Sequence, residues 1–191
     1  PQPADDRVLI WSVTAGKSKN LLFLDGNAFA NNEKKQFVGK PFVNNSVLDS
    51  ESEYTPLVGM EFKPTELLAL SLVGTSSSRP NVEGTPLEDT ANSKYDNVFS
   101  TPFVGSQLTL SPKFGELEGN YRLYGWWAGY NHSKLDSDRN AIAGRSDKGW
   151  GFGISADQQL RQMIGVFGRF AWNNDEVYVV EWEASGGLSL K

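Results

Sequence analysis

Apolar and polar residues alternate with a period of two along most of the chain, and the alternation is cleanest near its end. Over 177–190 one face carries Tyr178, Val180, Trp182, Ala184, Leu188 and Leu190, and the other carries Glu181, Glu183, Ser185 and Ser189. The segment before it places Ile164, Val166, Phe170 and Trp172 on one face, with Arg169 and Asn173 on the other. Before that, Trp150, Phe152, Ile154 and Ala156 alternate with Gly151, Gly153, Ser155, Asp157 and Gln159. Such alternation predicts successive strands with one greasy face and one small or charged face. Less regular strands are predicted over 7–15, 54–63, 66–75, 101–111 and 119–131, and no helix is predicted.

The connections predicted between these strands alternate in length. Residues 16–53, 76–100 and 132–148 read as long polar connections, whereas 64–65, 112–118 and 160–163 read as tight ones. Outer-membrane barrels pair short turns at one rim with long loops at the other. A soluble meander has no reason to do so. Only 174–176 breaks the pattern, being short where a long connection is due. No apolar run reaches the roughly 20 residues that a membrane helix needs, which leaves strands as the spanning element.

Composition is neutral on the class. The chain has 191 residues, 39% of them hydrophobic, which suits a soluble protein and equally a barrel whose strands face a polar lumen on one side. The 11 Phe, 6 Trp and 6 Tyr together with 19 Gly favour strands and tight turns over helices. Cysteine is absent and the net charge is -5, so no thiolate metal site or disulfide framework is expected, and nucleic acid is disfavoured as a partner. The chain opens on Pro1 without a secretory leader, the mark of a processed or partial chain.

Four stretches carry a family resemblance. They are Asp25-Gly26-Asn27-Ala28-Phe29-Ala30-Asn31-Asn32-Glu33 with Phe37 and Val43-Asn44-Asn45 after it; Gly119-Asn120-Tyr121-Arg122; Gly151-Phe152-Gly153-Ile154-Ser155-Ala156-Asp157-Gln158; and Gly165-Val166-Phe167-Gly168-Arg169-Phe170 with Gly186-Gly187-Leu188 closing the segment. In this order and spacing the chain resembles the carbohydrate-selective porins, the OprB-type family of Gram-negative bacteria. The resemblance implies a barrel of about sixteen strands in the outer membrane, through which sugars diffuse. This chain would supply about eight of them, as one β-barrel portion over 1–191 that is incomplete at both ends. It ends Ser189-Leu190-Lys191, whereas outer-membrane barrels usually finish on an aromatic residue. The fold expected is therefore all-β, an antiparallel up-and-down transmembrane β-barrel. The partners expected are membrane lipid and a small-molecule solute such as a sugar, with a homo-oligomer left open and no cofactor.

In a pore, function lies in the side chains that face the lumen. Arg122, Tyr124, Trp126, Ala128 and Tyr130 share one face of their strand, and that face would line either the lumen or the lipid interface. Asp157, Arg169, Glu181 and Glu183 lie on polar faces of adjacent strands. They suit cross-strand ion pairs, with Arg169 expected against a carboxylate of a neighbouring strand, and otherwise contact with sugar hydroxyls. The resemblance implies that Asp25, Asn27 and Glu33 sit where a long loop folds inward and narrows the pore. The alternative is a loop merely anchored on the wall by Phe23, Phe29 and Phe37.

Enzyme chemistry finds little support. His132 is the single histidine and lies in a predicted polar loop, where a solvated role outweighs a triad role. The Gly149-Trp150-Gly151-Phe152-Gly153 run opens no helix, so it is no phosphate loop. Glu181 and Glu183 share one strand face with no second carboxylate across a cleft, as a glycosidase would need. Asp136 and Asp138 could hold Ca²⁺, but polar loops produce such pairs by chance. The competing class is a soluble β-barrel or sandwich that binds carbohydrate, which would bury the apolar strand faces in a core. A porin-like barrel with another cargo, or one that sheathes a partner, is the nearer rival.

Overall fold

A computed structural model describes residues 9–18, 22–32, 45, 47–48, 55–76 and 102–190. These form β1 (Ile10–Ser18), β2 (Thr55–Lys63), β3 (Leu68–Ser76), β4 (Pro102–Leu110), β5 (Lys113–Phe114), β6 (Leu117–Leu135), β7 (Ala141–Arg161), β8 (Ile164–Asn173) and β9 (Trp182–Leu190). All strands pair antiparallel with their sequence neighbours in the order β1-β2-β3-β4-β6-β7-β8-β9, and β5 makes a small turn-end pair with β6. Among the described residues there is no α-helix. The all-β, up-and-down meander read from the alternation is thus the architecture found, with β1 and β9 at the two ends of the strand order.

Alternation sets the two faces of this sheet. Register aligns Leu123 with Ile154 and Ile154 with Phe170, and all three point to one side. On that side Val58, Met60, Leu70, Leu72, Val104, Leu108, Leu123, Phe152, Ile154 and Leu188 are exposed, with Leu123 at 55% and Leu188 at 67%. No other layer of described residues covers this face. Water would penalise so large an apolar patch, since soluble monomers rarely expose more than a few hundred Å² in one piece. Hydrocarbon would not. The soluble-domain expectation, with these faces in a protein core, does not hold.

Four of the six tryptophans stand in a row across this outer face. Trp127 pairs with Trp150 between β6 and β7, and Trp172 with Trp182 between β8 and β9. The Trp150 and Trp172 ring centroids are 5.2 Å apart. All four lie toward the rim that carries the longer connections. Amphipathic rings gather at the headgroup level of a bilayer, and the Trp172 indole N–H finds a polar partner there, donating to Glu181 Oε1 at 3.2 Å.

The packed core lies on the opposite face. There Leu24 from the 22–32 segment, with Val47 and Leu48, packs on Val73, Phe103, Tyr124, Trp126, Ala128 and Ala171 of the wall. Three successive inward positions of β7 are glycine, at Gly149, Gly151 and Gly153. Gly153 and Gly151 leave the space that the Tyr124 and Trp126 rings of β6 occupy. Large residues on one strand thus interlock with small ones on the next.

Two expectations are corrected. Residues 132–148 are not a long loop. β6 and β7 run on for 19 and 21 residues, against 9 or 10 in the other main strands, and turn only at 136–140. Beyond the apolar band both faces of this hairpin meet water, so the greasy period that marks a strand vanishes. The Asp136 side chain closes the turn by accepting from the amides of Asp138 and Asn140, each at 2.9 Å, with Arg139 left-handed at φ 64°. That carboxylate serves its own turn, as Asx residues commonly do.

The second correction is that the last strand begins at Trp182 and not at Val177. The Asn174 carbonyl accepts from the Val177 and Tyr178 amides and curls the chain into a turn. Tyr178 consequently leaves the outer face and meets His132, with ring centroids 4.8 Å apart. The connection after β8 therefore spans 174–181, in keeping with the longer connections of its rim.

Candidate functional site

The covered face of β4, β6, β7 and β8 carries most of the polar side chains that the sheet buries, with Ser71 and Thr75 of β3 beside them. Inward parity puts Gln107 on β4, Asn120, Arg122, Tyr124 and Trp126 on β6, Ser155 and Asp157 on β7, and Arg169 and Asn173 on β8. Residues 22–32 lie across this face. The reversal that lets the segment lie flat is at Asp25-Gly26, where Asp25 adopts φ 56°, a conformation that Asp tolerates better than most residues.

Asp25 is the hub of the contact. It is fully buried, and its Oδ1 lies 3.1 Å from Arg169 Nε. Its Oδ2 accepts from the Asn45 amide at 2.7 Å, while its own amide donates to Gln107 Oε1 at 2.8 Å. Arg169 Nη2 also donates to the Asp25 carbonyl at 3.3 Å and to Asn31 Oδ1. Burial pushes the Asp25 carboxyl above the usual carboxylate range, and the Arg169 guanidinium and the Asn45 amide draw it back. The partner of Arg169 is therefore a loop residue and not a carboxylate on a neighbouring strand. A period-two reading pairs strands with strands and cannot foresee a segment folding across them.

Asn27 ties the next turn of the loop down. Its Nδ2 donates to Ser155 Oγ at 3.1 Å and to the Ala156 carbonyl at 3.3 Å, and its Oδ1 accepts from the Phe29 amide at 3.0 Å. Asn45 donates to the Tyr124 hydroxyl at 3.0 Å, and Asn173 donates to the Val47 carbonyl at 2.9 Å. Asn27, Asn45, Tyr124, Ser155 and Asn173 are buried, and a buried polar group left unpaired costs about 1–3 kcal/mol. The network accordingly fixes one position of the loop on the wall.

A second ion pair lies within the wall itself. Arg122 Nη1 meets Asp157 Oδ2, and Asn120 Nδ2 donates to the other carboxylate oxygen at 2.8 Å. Arg122 faces a cavity of about 310 Å³, which it shares with Asn120, Thr109, Gln107, Glu61 and Lys63.

The structure thus sorts the predicted residues. Arg122 borders the open cavity. Tyr124, Trp126 and Arg169 of the wall meet the segment that carries Asp25 and Asn27, and Asp157 is paired with Arg122 in the wall; all but Arg122 are less than a tenth exposed. Glu181 stands apart at the Trp-lined rim, 3.5 Å from Arg139. Glu183 shares the inward parity of β9, opposite Ala171. Tyr130 lies at a bulge and packs at a tilt against His132, with ring centroids 4.2 Å apart. Glu33 and Phe37 lie outside the described residues. Gln107, Asn120, Ser155, Asn173, Asn31 and Asn45 are participants that the sequence reading did not assign. The first four occupy inward parity on their strands.

Known proteins share the family and the fold. The model of the carbohydrate-selective porin, OprB family, matches residues 27–191. No curated protein sequence matches the chain. The fold is similar to that of a solved structure of OprB from Pseudomonas putida at high pH, with a TM-score of 0.65 and 17% identity. That likeness covers 93% of this chain and 45% of the other, so this chain spans less than half the length of that relative.

Proposed function

The chain belongs to the carbohydrate-selective porin, OprB family, and on that premise we propose that it forms part of the wall of a pore in the Gram-negative outer membrane, through which uncharged sugars diffuse passively. The observation that carries the reading is the division of one sheet into an exposed apolar face and a polar, loop-covered face. A bilayer accepts the first, and an aqueous lumen requires the second. The edges at β1 and β9 then pair with further strands, since unpaired backbone groups in hydrocarbon cost several kcal/mol each.

The preference for uncharged solutes follows from how the lumen charges are arranged. Arg122 is paired with Asp157 and Arg169 with Asp25, so these arginines contribute local dipoles and little net field. A sugar can trade its water for hydrogen bonds with Arg122, Asn120, Thr109 and Lys63 around the cavity. An ion gains no comparable attraction and still loses hydration. Tyr124 and Trp126, sealed beneath the loop, form the floor on which the loop rests and are not a stacking platform for the solute. The process has no chemical step.

The test is osmotic swelling of liposomes that hold the protein purified from membranes. Glucose should enter faster than gluconate, its anionic counterpart of similar size. Swelling no faster than in empty liposomes, or faster with gluconate, would refute the proposal.

A further inference from the structure

Polar contacts hold the middle of the 22–32 segment, but its flanks are held by shape. The Phe23 ring lies over Gly59 of β2, so close that a Cβ there would fall 2.1 Å from Cζ. Leu24 lies over Gly105 of β4, where a Cβ would fall 2.5 Å from Cδ1. Phe29 lies over Gly165 of β8, where a Cβ would fall 2.3 Å from Cζ. A methyl group and these side chains cannot occupy the same space. None of the three glycines has the left-handed backbone that would itself demand glycine. At Gly59 and Gly165 alanine therefore conflicts only with the loop, while at Gly105 it also presses on Phe103 of β4, 3.3 Å from the added Cβ. Gly74 and Gly168, on the outer face, have nothing within 4 Å of the same construction.

We infer that Gly59, Gly105 and Gly165 are sockets that seat the loop at three points across the sheet and so set the bore of the pore. They are positioning residues that touch no solute. Asp25 and Asn27 fall between the outer two seats in sequence, so lifting either phenylalanine moves the polar hub off the wall. The consequence for conduction rests on the pore reading above. The seating itself stands on packing alone.

Two readouts separate the two claims. The chain has no cysteine, and Ala30 of the loop is fully buried. Ala30→Cys thus reports loop position through its reaction with a water-soluble maleimide, in protein purified from membranes. Overpacking by one methyl should speed labelling at least about tenfold in Gly59→Ala or Gly165→Ala. The same variants should raise single-channel conductance in planar bilayers. Gly168→Ala should change neither. Phe29→Leu added to Gly165→Ala shortens the clashing side chain and should restore slow labelling. It should also rescue folding, judged by heat-modifiable gel mobility, if the single variant misfolds.

Labelling in Gly165→Ala no faster than in Gly168→Ala would overturn the sockets, as would misfolding that Phe29→Leu does not rescue. A protein that labels as expected but carries no solute keeps the sockets and loses the pore reading. A wild-type pore whose socket variants label and conduct normally does the reverse.

Discussion

Replacing Ile154 with arginine puts a charge in the middle of the outer face. Ile154 is half exposed, at 50%, and sits between Leu123 and Phe170 in the register of β6, β7 and β8. It lies four residues from Trp150, about 13 Å along the strand. With the tryptophan row at one edge of an apolar band about 25 Å tall, Ile154 lies near the midplane. In water an exposed substitution of this kind shifts stability by no more than about 0.5 kcal/mol. On a lipid-facing wall, arginine at the midplane costs about 2–4 kcal/mol, a change of roughly 30-fold to 1,000-fold in the folding equilibrium. Ala143→Arg is the control, exposed on the β6–β7 hairpin beyond the band. The assay is reversible denaturant unfolding in phospholipid vesicles, followed by tryptophan fluorescence and gel mobility. Equal costs for the two variants, both within about 0.5 kcal/mol, would refute the membrane assignment of this face.

Asp25→Ala leaves the Arg169 guanidinium buried without its carboxylate and should cost about 3–5 kcal/mol in the same unfolding assay; adding Arg169→Leu should recover part of the loss, and strict additivity would show that the two do not act as a pair. Arg122→Leu leaves Asp157 as an uncompensated anion in the wall, so the reversal potential in a KCl gradient should move toward cation selectivity, and an unchanged potential would place the pair away from the conduction path. Tyr124→Phe removes the hydroxyl that accepts from Asn45 and should lower stability by about 1 kcal/mol with no change in conductance, because that ring is sealed beneath the loop.

How much was legible in the sequence depended on what each segment touches. β4, β8 and the second half of β7 set an apolar face against a small or polar one, and there the alternation placed the strands closely, at 101–111 for Pro102–Leu110 and from Ile164 to Asn173 for β8. The ends of β6 and β7 reach into water on both faces, so residues 132–148 looked like a loop although backbone pairing continued through two register shifts. Tyr178 and Val180 fit the apolar period by composition, but the Asn174 turn governs where they point. In the site, inward parity brought Arg122, Tyr124, Trp126, Asp157 and Arg169 to one face. It could not tell a side chain that borders the cavity from one sealed under a loop, because burial there is decided by the 22–32 segment. The ion pair between Asp25 and Arg169 spans 144 positions of sequence and has no local signature.

The two faces of the sheet also differ in what they ask of evolution. A fluid bilayer moulds itself to any hydrocarbon outline, so Leu123, Ile154 or Leu188 can exchange among apolar types with little penalty and no matching change elsewhere. The glycines beneath Phe23, Leu24 and Phe29 meet a solid partner, and a single methyl there requires a second substitution in the loop. Divergence should therefore run fast on the outside and slowly, in linked pairs, on the inside. A chain of this kind can drift to 17% identity with a structural relative and keep its fold, since half of its wall answers to a solvent and not to a shape.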